Sequence, residues 1–154
     1  MHKMGPTPAT TRRRAWFTVR TVILGLGAIA IVWFIVQYFV RLRALGYVDS
    51  AIGTMRALAA DENKFAGAHP GWGYTCELAD ITADPTIARG RKNEYVFEIS
   101  GCRGKAESGP NTSYQMTARP LRPGMPAFCS DQSGIVKADY DGSSANCVKA
   151  GQPL

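Results

Sequence analysis

Four cysteines, Cys76, Cys102, Cys129 and Cys147, carry the clearest chemistry in this chain, and all lie in its second half or just before it. Their spacings of 26, 27 and 18 residues lack the close Cys-x-x-Cys pairs on which a structural zinc site draws. An even number of cysteines in an exported domain predicts two disulfides instead, and the sequence alone permits three pairings. His69 precedes Cys76 by seven residues, but a Cys–His nucleophile needs a free thiolate, which a disulfide at Cys76 removes. No catalytic residue is assigned and no enzyme is expected. Asp139-Tyr140-Asp141-Gly142-Ser143-Ser144 offers closely spaced oxygens of the kind calcium takes. It lacks the full EF-hand pattern, and Asp-Gly-Ser is also ordinary turn chemistry. Asn111-Thr112-Ser113 matches a glycosylation sequon.

Charge narrows the function classes. Of the 18 basic residues, seven lie within residues 1–43 (Lys3, Arg12, Arg13, Arg14, Arg20, Arg41 and Arg43), where there is no acid. The remaining eleven face all 12 acids, so the rest of the chain is close to neutral. The basicity belongs to the flanks of an apolar run, where Lys and Arg set membrane topology. No basic aromatic patch remains for nucleic acid, which is excluded as a partner.

That run, residues 21–40, is interrupted mainly by Gln37. About 20 residues at ~1.5 Å each span a hydrocarbon core of ~30 Å. Ala28-Ile29-Ala30 imitates a signal-peptidase site, but a secretory h-region is only ~7–15 residues long, and Ile31 to Val36 carry the apolar run past it. The segment is therefore expected to remain as an anchor. The excess of basic side chains ahead of it predicts a cytoplasmic N-terminus and a C-terminal domain on the outer side. Gly25 and Gly27 leave shallow grooves where another helix could approach, and Gln37 could hydrogen-bond to one.

The elements that must position these residues follow from periodicity. Residues 1–14 read as a disordered basic tail, 15–40 as the transmembrane helix, and 41–69 as its amphipathic continuation. In the continuation Leu42, Leu45, Val48, Ile52, Met55, Leu58 or Ala59, and Phe65 recur at helical spacing, a stripe that must cover something. A helix from about Arg14 to Ala66 would be about 75–80 Å long. It meets Gly67, His69 and Pro70 as stop signals. Residues 70–154 then read as a small β-domain. Tyr95, Phe97 and Ile99 alternate onto one face, and so do Tyr114, Met116 and Ala118. Residues 127–130 and 135–138 flank a turn at Asp131-Gln132-Ser133-Gly134. Three or four antiparallel strands with one apolar face, covered by the helix stripe, make an α+β fold. So small a core makes disulfide staples physically sensible.

This organisation resembles type IV pilins and the major pseudopilins of type II secretion. The resemblance rests on YVDSAIGTMRALAADENKFAGAHPGWGYTCELADI, on EYVFEISGC and on YQMTARPLRPGMPAFCSDQSGIVKAD, roughly residues 40–140. The last of these carries Tyr114, Ala118-Arg119-Pro120 and the spacing Phe128, Asp131, Gly134, Ile135. It implies a long N-terminal helix laid across an antiparallel sheet. It also implies a bacterial inner-membrane protein with a periplasmic domain. The expected pairs are Cys76–Cys102, joining the loop after the helix to the end of a strand, and Cys129–Cys147, like the C-terminal disulfide loop of many pilins. Major pseudopilins that bind calcium in a C-terminal loop make Asp139 and Asp141 candidate ligands; otherwise no cofactor is expected.

The resemblance breaks at the processing site. The family is cut between a glycine and a phenylalanine, with a glutamate four residues beyond. Here Trp16 stands before Phe17, and Thr21 stands in the glutamate's place. A pocket shaped for glycine has no room for an indole, and the carboxylate thought to pair with a neighbouring subunit's amino terminus is gone. Arg20 can snorkel to the cytoplasmic surface beside an ordinary anchor, but inside a filament it would need an anion. The expected function is a non-catalytic accessory or scaffold subunit, with membrane lipid and other membrane-protein subunits as partners. The alternative is a filament-forming pilin or pseudopilin with a divergent leader.

Overall fold

The structure, a computed structural model, describes residues 9–102 and 109–154, with side chains from residue 22 onward. It divides into two compact units, residues 1–43 and 44–154. The elements run in order: a long helix, two single-turn helices, five strands, a short helix and a last strand.

Helix α1 spans Ala9–Ala68. Between Pro8 and Pro70 there is no proline, so no residue lacks its N–H or crowds the preceding turn. The helix therefore begins within the segment expected to be a disordered tail to residue 14. At the other end the His69 amide still donates to the Phe65 carbonyl at 2.9 Å, and Pro70 forbids continuation. In the second unit α1 buries Ala51, Met55, Leu58 and Ala59, with Tyr47, Val48, Ile52 and Phe65 half-buried beside them. The expected stripe reached back to Leu42 and Leu45, but both are exposed, Leu45 at 61%. The sheet is short and its cover begins only at Tyr47.

The single-turn helices α2 (Leu78–Ile81) and α3 (Pro85–Ala88) follow the loop after α1. Asp84 caps α3, accepting the Thr86 amide at 2.9 Å, and Pro85 occupies the first turn, where a missing N–H costs nothing. Leu78, Ile81 and Ile87 turn inward to close one side of the core.

The strands are β1 (Arg91–Lys92), β2 (Tyr95–Ser100), β3 (Gln115–Pro120), β4 (Ala127–Asp131), β5 (Lys137–Asp139) and β6 (Gln152–Pro153). They form one antiparallel meander in sequence order. Six strands replace the expected three or four, because β1 and β6 have two residues each and leave no alternation to read. Ile99 pairs with Met116, Phe97 with Ala118, and Ala118 with Phe128, which pairs with Ala138. These registers bring the alternating apolar residues onto one face, where they join Met55 and Leu58 in a single core. Helix α4 (Ser144–Ala150), capped by Ser143 through the Asn146 amide at 3.2 Å, packs on β3, β4 and β5. Its buried residue is Cys147. With cover on both sides, β4 is buried from Ala127 to Ser130.

Truncating Leu58, which is 2% exposed, should leave a cavity under the sheet. Leu58→Ala is expected to destabilise the domain by about 2–5 kcal/mol, and Leu45→Ala to change stability by less than about 0.5 kcal/mol. Denaturant melts of the detergent-solubilised chain, followed by Trp fluorescence, check this. Equal effects at the two positions would contradict the half-length stripe.

Candidate functional site

The first unit holds the apolar segment. Among the described residues one helix is long and apolar enough to cross a membrane, and its most apolar stretch is entirely unburied. Val22, Leu24, Leu26, Ile29, Val32 and Phe34 are all exposed, the condition lipid would relieve. At Gly25 and Gly27 an added Cβ would meet nothing within 4 Å, so both positions are open to a neighbour. Gln37, Arg41 and Arg43 are exposed as well. The side chains of Arg12, Arg13, Arg14, Trp16, Phe17, Arg20 and Thr21 lie outside the described residues.

In the second unit Cys76 pairs with Cys102 and Cys129 with Cys147, with Cα–Cα separations of 5.8 and 5.9 Å. The two bonds differ in setting. Cys129 projects from β4 away from the α1-covered face and meets Cys147 of α4, both fully buried. Cys76 is exposed in the loop after α1, and Cys102 follows β2. Closing an 18-residue separation contributes about 3 kcal/mol in the chain-entropy account. With Cys76 oxidised, it is no nucleophile. Its sequence neighbour His69 turns back on its own helix: Nδ1 lies 3.1 Å from the Phe65 carbonyl oxygen, and the ring sits between Phe65 and Trp72.

The remaining polar candidates close turns. Asp139 Oδ1 accepts from the amides of Asp141 at 3.1 Å and Ser143 at 3.0 Å, an Asx-type arrangement that leads into the α4 cap. Asp141 is exposed. Among the described residues no three or more His, Cys, Asp or Glu side chains converge as a metal cluster. Asn111, the sequon residue, donates from Nδ2 to the Tyr74 carbonyl at 2.8 Å. Its backbone bridges Gly73, whose φ of +71° and contact with the Asn111 backbone leave no room for a side chain.

The sequence reading overlooked Glu62. It follows Leu58 by four residues and precedes Phe65 by three, so it stands in the apolar stripe of α1, and its side chain has no exposed surface. That spacing was the available signal. Oε2 accepts the Thr75 amide at 3.2 Å. Oε1 is buried without a partner, as is the Tyr114 hydroxyl. Burial raises the Glu62 carboxyl to about 7, the Thr75 amide opposes this, and the Asp80 charge adds to it. Burial and the charge of Glu62 push the Tyr114 hydroxyl up. Thr75 links the two acids, since its hydroxyl donates to Asp80 Oδ2 at 2.8 Å and accepts from the Glu77 amide at 3.1 Å. On the same helix, a groove of about 280 Å³ runs between α1 and the α2–β1 region, lined by Ser50, Gly53, Thr54, Asp61, Thr82 and Lys92 among others.

No family model, curated protein or solved structure matches this chain.

Two outcomes follow. Stepwise reduction with alkylation and mass spectrometry should open Cys76–Cys102 before Cys129–Cys147, because a reducing thiolate must reach the sulfur it attacks; the reverse order would contradict the burial difference. Glu62 holds its proton more tightly folded than unfolded. Its stabilising contribution is full below the unfolded value of 4.5 and is lost as pH rises to the folded value of about 7, a decline of at most about 3 kcal/mol. Asp131, held down by Ser133, acts in the other sense, and its contribution fades only as pH falls below 3.8. Glu62→Gln should therefore flatten the stability curve between pH 4.5 and 7 and stabilise the domain at pH 8. Denaturant titrations across that range check it.

Proposed function

We propose that this chain is a non-catalytic, single-pass membrane protein of pilin-like design, an accessory or scaffold subunit of a larger membrane assembly. The observation that carries the reading is the pairing of an exposed apolar helical segment with a stapled domain whose sheet is covered by the same helix's later turns. A helix with that much bare apolar surface calls for lipid or for other helices. Gly25, Gly27 and Gln37 supply the small and polar contacts through which membrane helices meet.

Topology rests on charge. The basic cluster Arg12-Arg13-Arg14 with Arg20 precedes the span and favours a cytoplasmic N-terminus. The domain then lies on the outer face of a bacterial inner membrane, in the periplasm, where disulfides persist. Other membrane-protein subunits and lipid are the partners, and no nucleic acid or cofactor is involved. Trp16 and Thr21, in place of the family's glycine and glutamate, argue for an anchor that stays rather than a leader cut ahead of polymerisation.

Intact-mass measurement on protein taken from its native membrane tests this. The expected mass retains the residues ahead of Phe17. A product lacking the first 16 residues with a methylated Phe17 would overturn the accessory role in favour of a filament-forming pilin or pseudopilin.

A further inference from the structure

The loop after α1 is held at two places by different means. At Gly73 and Tyr74 the backbone pairs with Asn111: the Tyr74 amide donates to the Asn111 carbonyl at 3.0 Å and the Asn111 amide to the Trp72 carbonyl at 2.8 Å. These bonds involve no titrating group. At Thr75 the amide bonds instead to Glu62 Oε2, a carboxyl with no exposed surface whose second oxygen has no hydrogen-bond partner. The next residue is Cys76, tied to Cys102.

We infer that Glu62 is a proton-controlled latch on the Thr75–Asp80 segment: the neutral carboxyl keeps that segment seated on the last turns of α1, and loss of its proton releases it.

The groups around the carboxyl determine the direction. Asp80 approaches from α2 through Thr75, and Tyr114 from just ahead of β3; Tyr74 and Asp131 in turn act on Tyr114. The hydroxyl of Tyr74 donates to Asn63 at 3.3 Å, and Asp131 is engaged by Ser133 and by Lys137 at 3.8 Å. Among the described residues no cation acts on Glu62. An ionised carboxylate here would keep one amide donor, leave its other oxygen bare and face a second acid. A charge without a partner in a dry site is relieved by water. The segment that touches the carboxyl through its one hydrogen bond is the one carrying Thr75. Lifting it breaks the hydrogen bond to Glu62 and uncovers Leu78 of α2, while the Cys76–Cys102 bond and the Asn111 pairing upstream keep the loop tethered. The latch follows from the fold of the second unit and does not depend on the membrane role proposed above.

Residue-resolved amide exchange by NMR on the full chain in detergent micelles, corrected for intrinsic exchange at each pH, tests the latch. Between pH 5.5 and 8.5 the protection of the Thr75 amide should fall at least tenfold, while that of Tyr74 and of the β3 amides stays constant. Glu62→Gln, which keeps the shape and the acceptor, should hold Thr75 at its low-pH protection throughout. Asp80→Asn removes the second acid's charge and should move the midpoint to lower pH, so that the loss of protection begins earlier. Three results would overturn the inference. Thr75 protection could be flat or rise with pH in the wild-type chain, showing a carboxylate that clamps its amide. It could fall together with Tyr74 and β3, showing general loosening. It could fall equally in Glu62→Gln, showing a different titrating group.

Discussion

The fold depends on one act of burial: the stripe of α1 from Tyr47 to Phe65 against the apolar face of an antiparallel meander. Strands of two to six residues cannot bury both faces of a sheet by themselves, and a sheet with one wet apolar face is not stable in isolation. The helix supplies Met55 and Leu58 to a core otherwise built from Tyr95, Phe97, Met116 and Phe128. The registers of β2, β3, β4 and β5 place apolar residues on the face that helix covers. Slipping one strand by a residue would turn its apolar set outward.

Around that contact the molecule is held by covalent and polar clamps suited to a small core. Cys129–Cys147 pins α4 to the opposite face of β4, so the most buried strand is covered on both sides. Cys76–Cys102 pins the loop after α1 to the end of β2. Tyr95, buried with its hydroxyl donating to the Pro126 carbonyl at 3.0 Å, has its ionisation pushed up to about 12 by that burial. Asp139 closes a backbone turn through the Asp141 and Ser143 amides. Glu62 departs from this economy. It stands in the apolar stripe, accepts the buried Thr75 amide and carries an unpaired oxygen into the interior.

Much of this was readable from residue order. The alternation of Tyr95, Phe97 and Ile99, and of Tyr114, Met116 and Ala118, marks two strands and their inner faces, because a pleated strand has a period of two. The absence of proline between Pro8 and Pro70 marks one long helix. Other features were not readable. The two-residue strands β1 and β6 are too short for any period. The limit of the helix stripe is set by the reach of the sheet, so Leu42 and Leu45 look identical to Leu58 in sequence while standing exposed. Glu62 was passed over because an acid on an amphipathic helix is ordinarily solvated, and only its spacing from Leu58 and Phe65 argued otherwise.

The sequence by itself determined the apolar segment, its basic flanks, the helix, the main strands and the even set of cysteines, since each depends on local composition or on periods of two and 3.6 residues. Residue spacing left three cysteine pairings open, and tertiary structure decided among them; it alone decided how far up the helix the sheet extends and which acid is buried. Those depend on distances between residues far apart in the chain. Asp61 and Glu62 are adjacent in sequence, yet Asp61 pairs with Lys64 at the surface while Glu62 is enclosed, because the packing of the loop and β3 against α1 reaches one side of the helix and leaves the other in water.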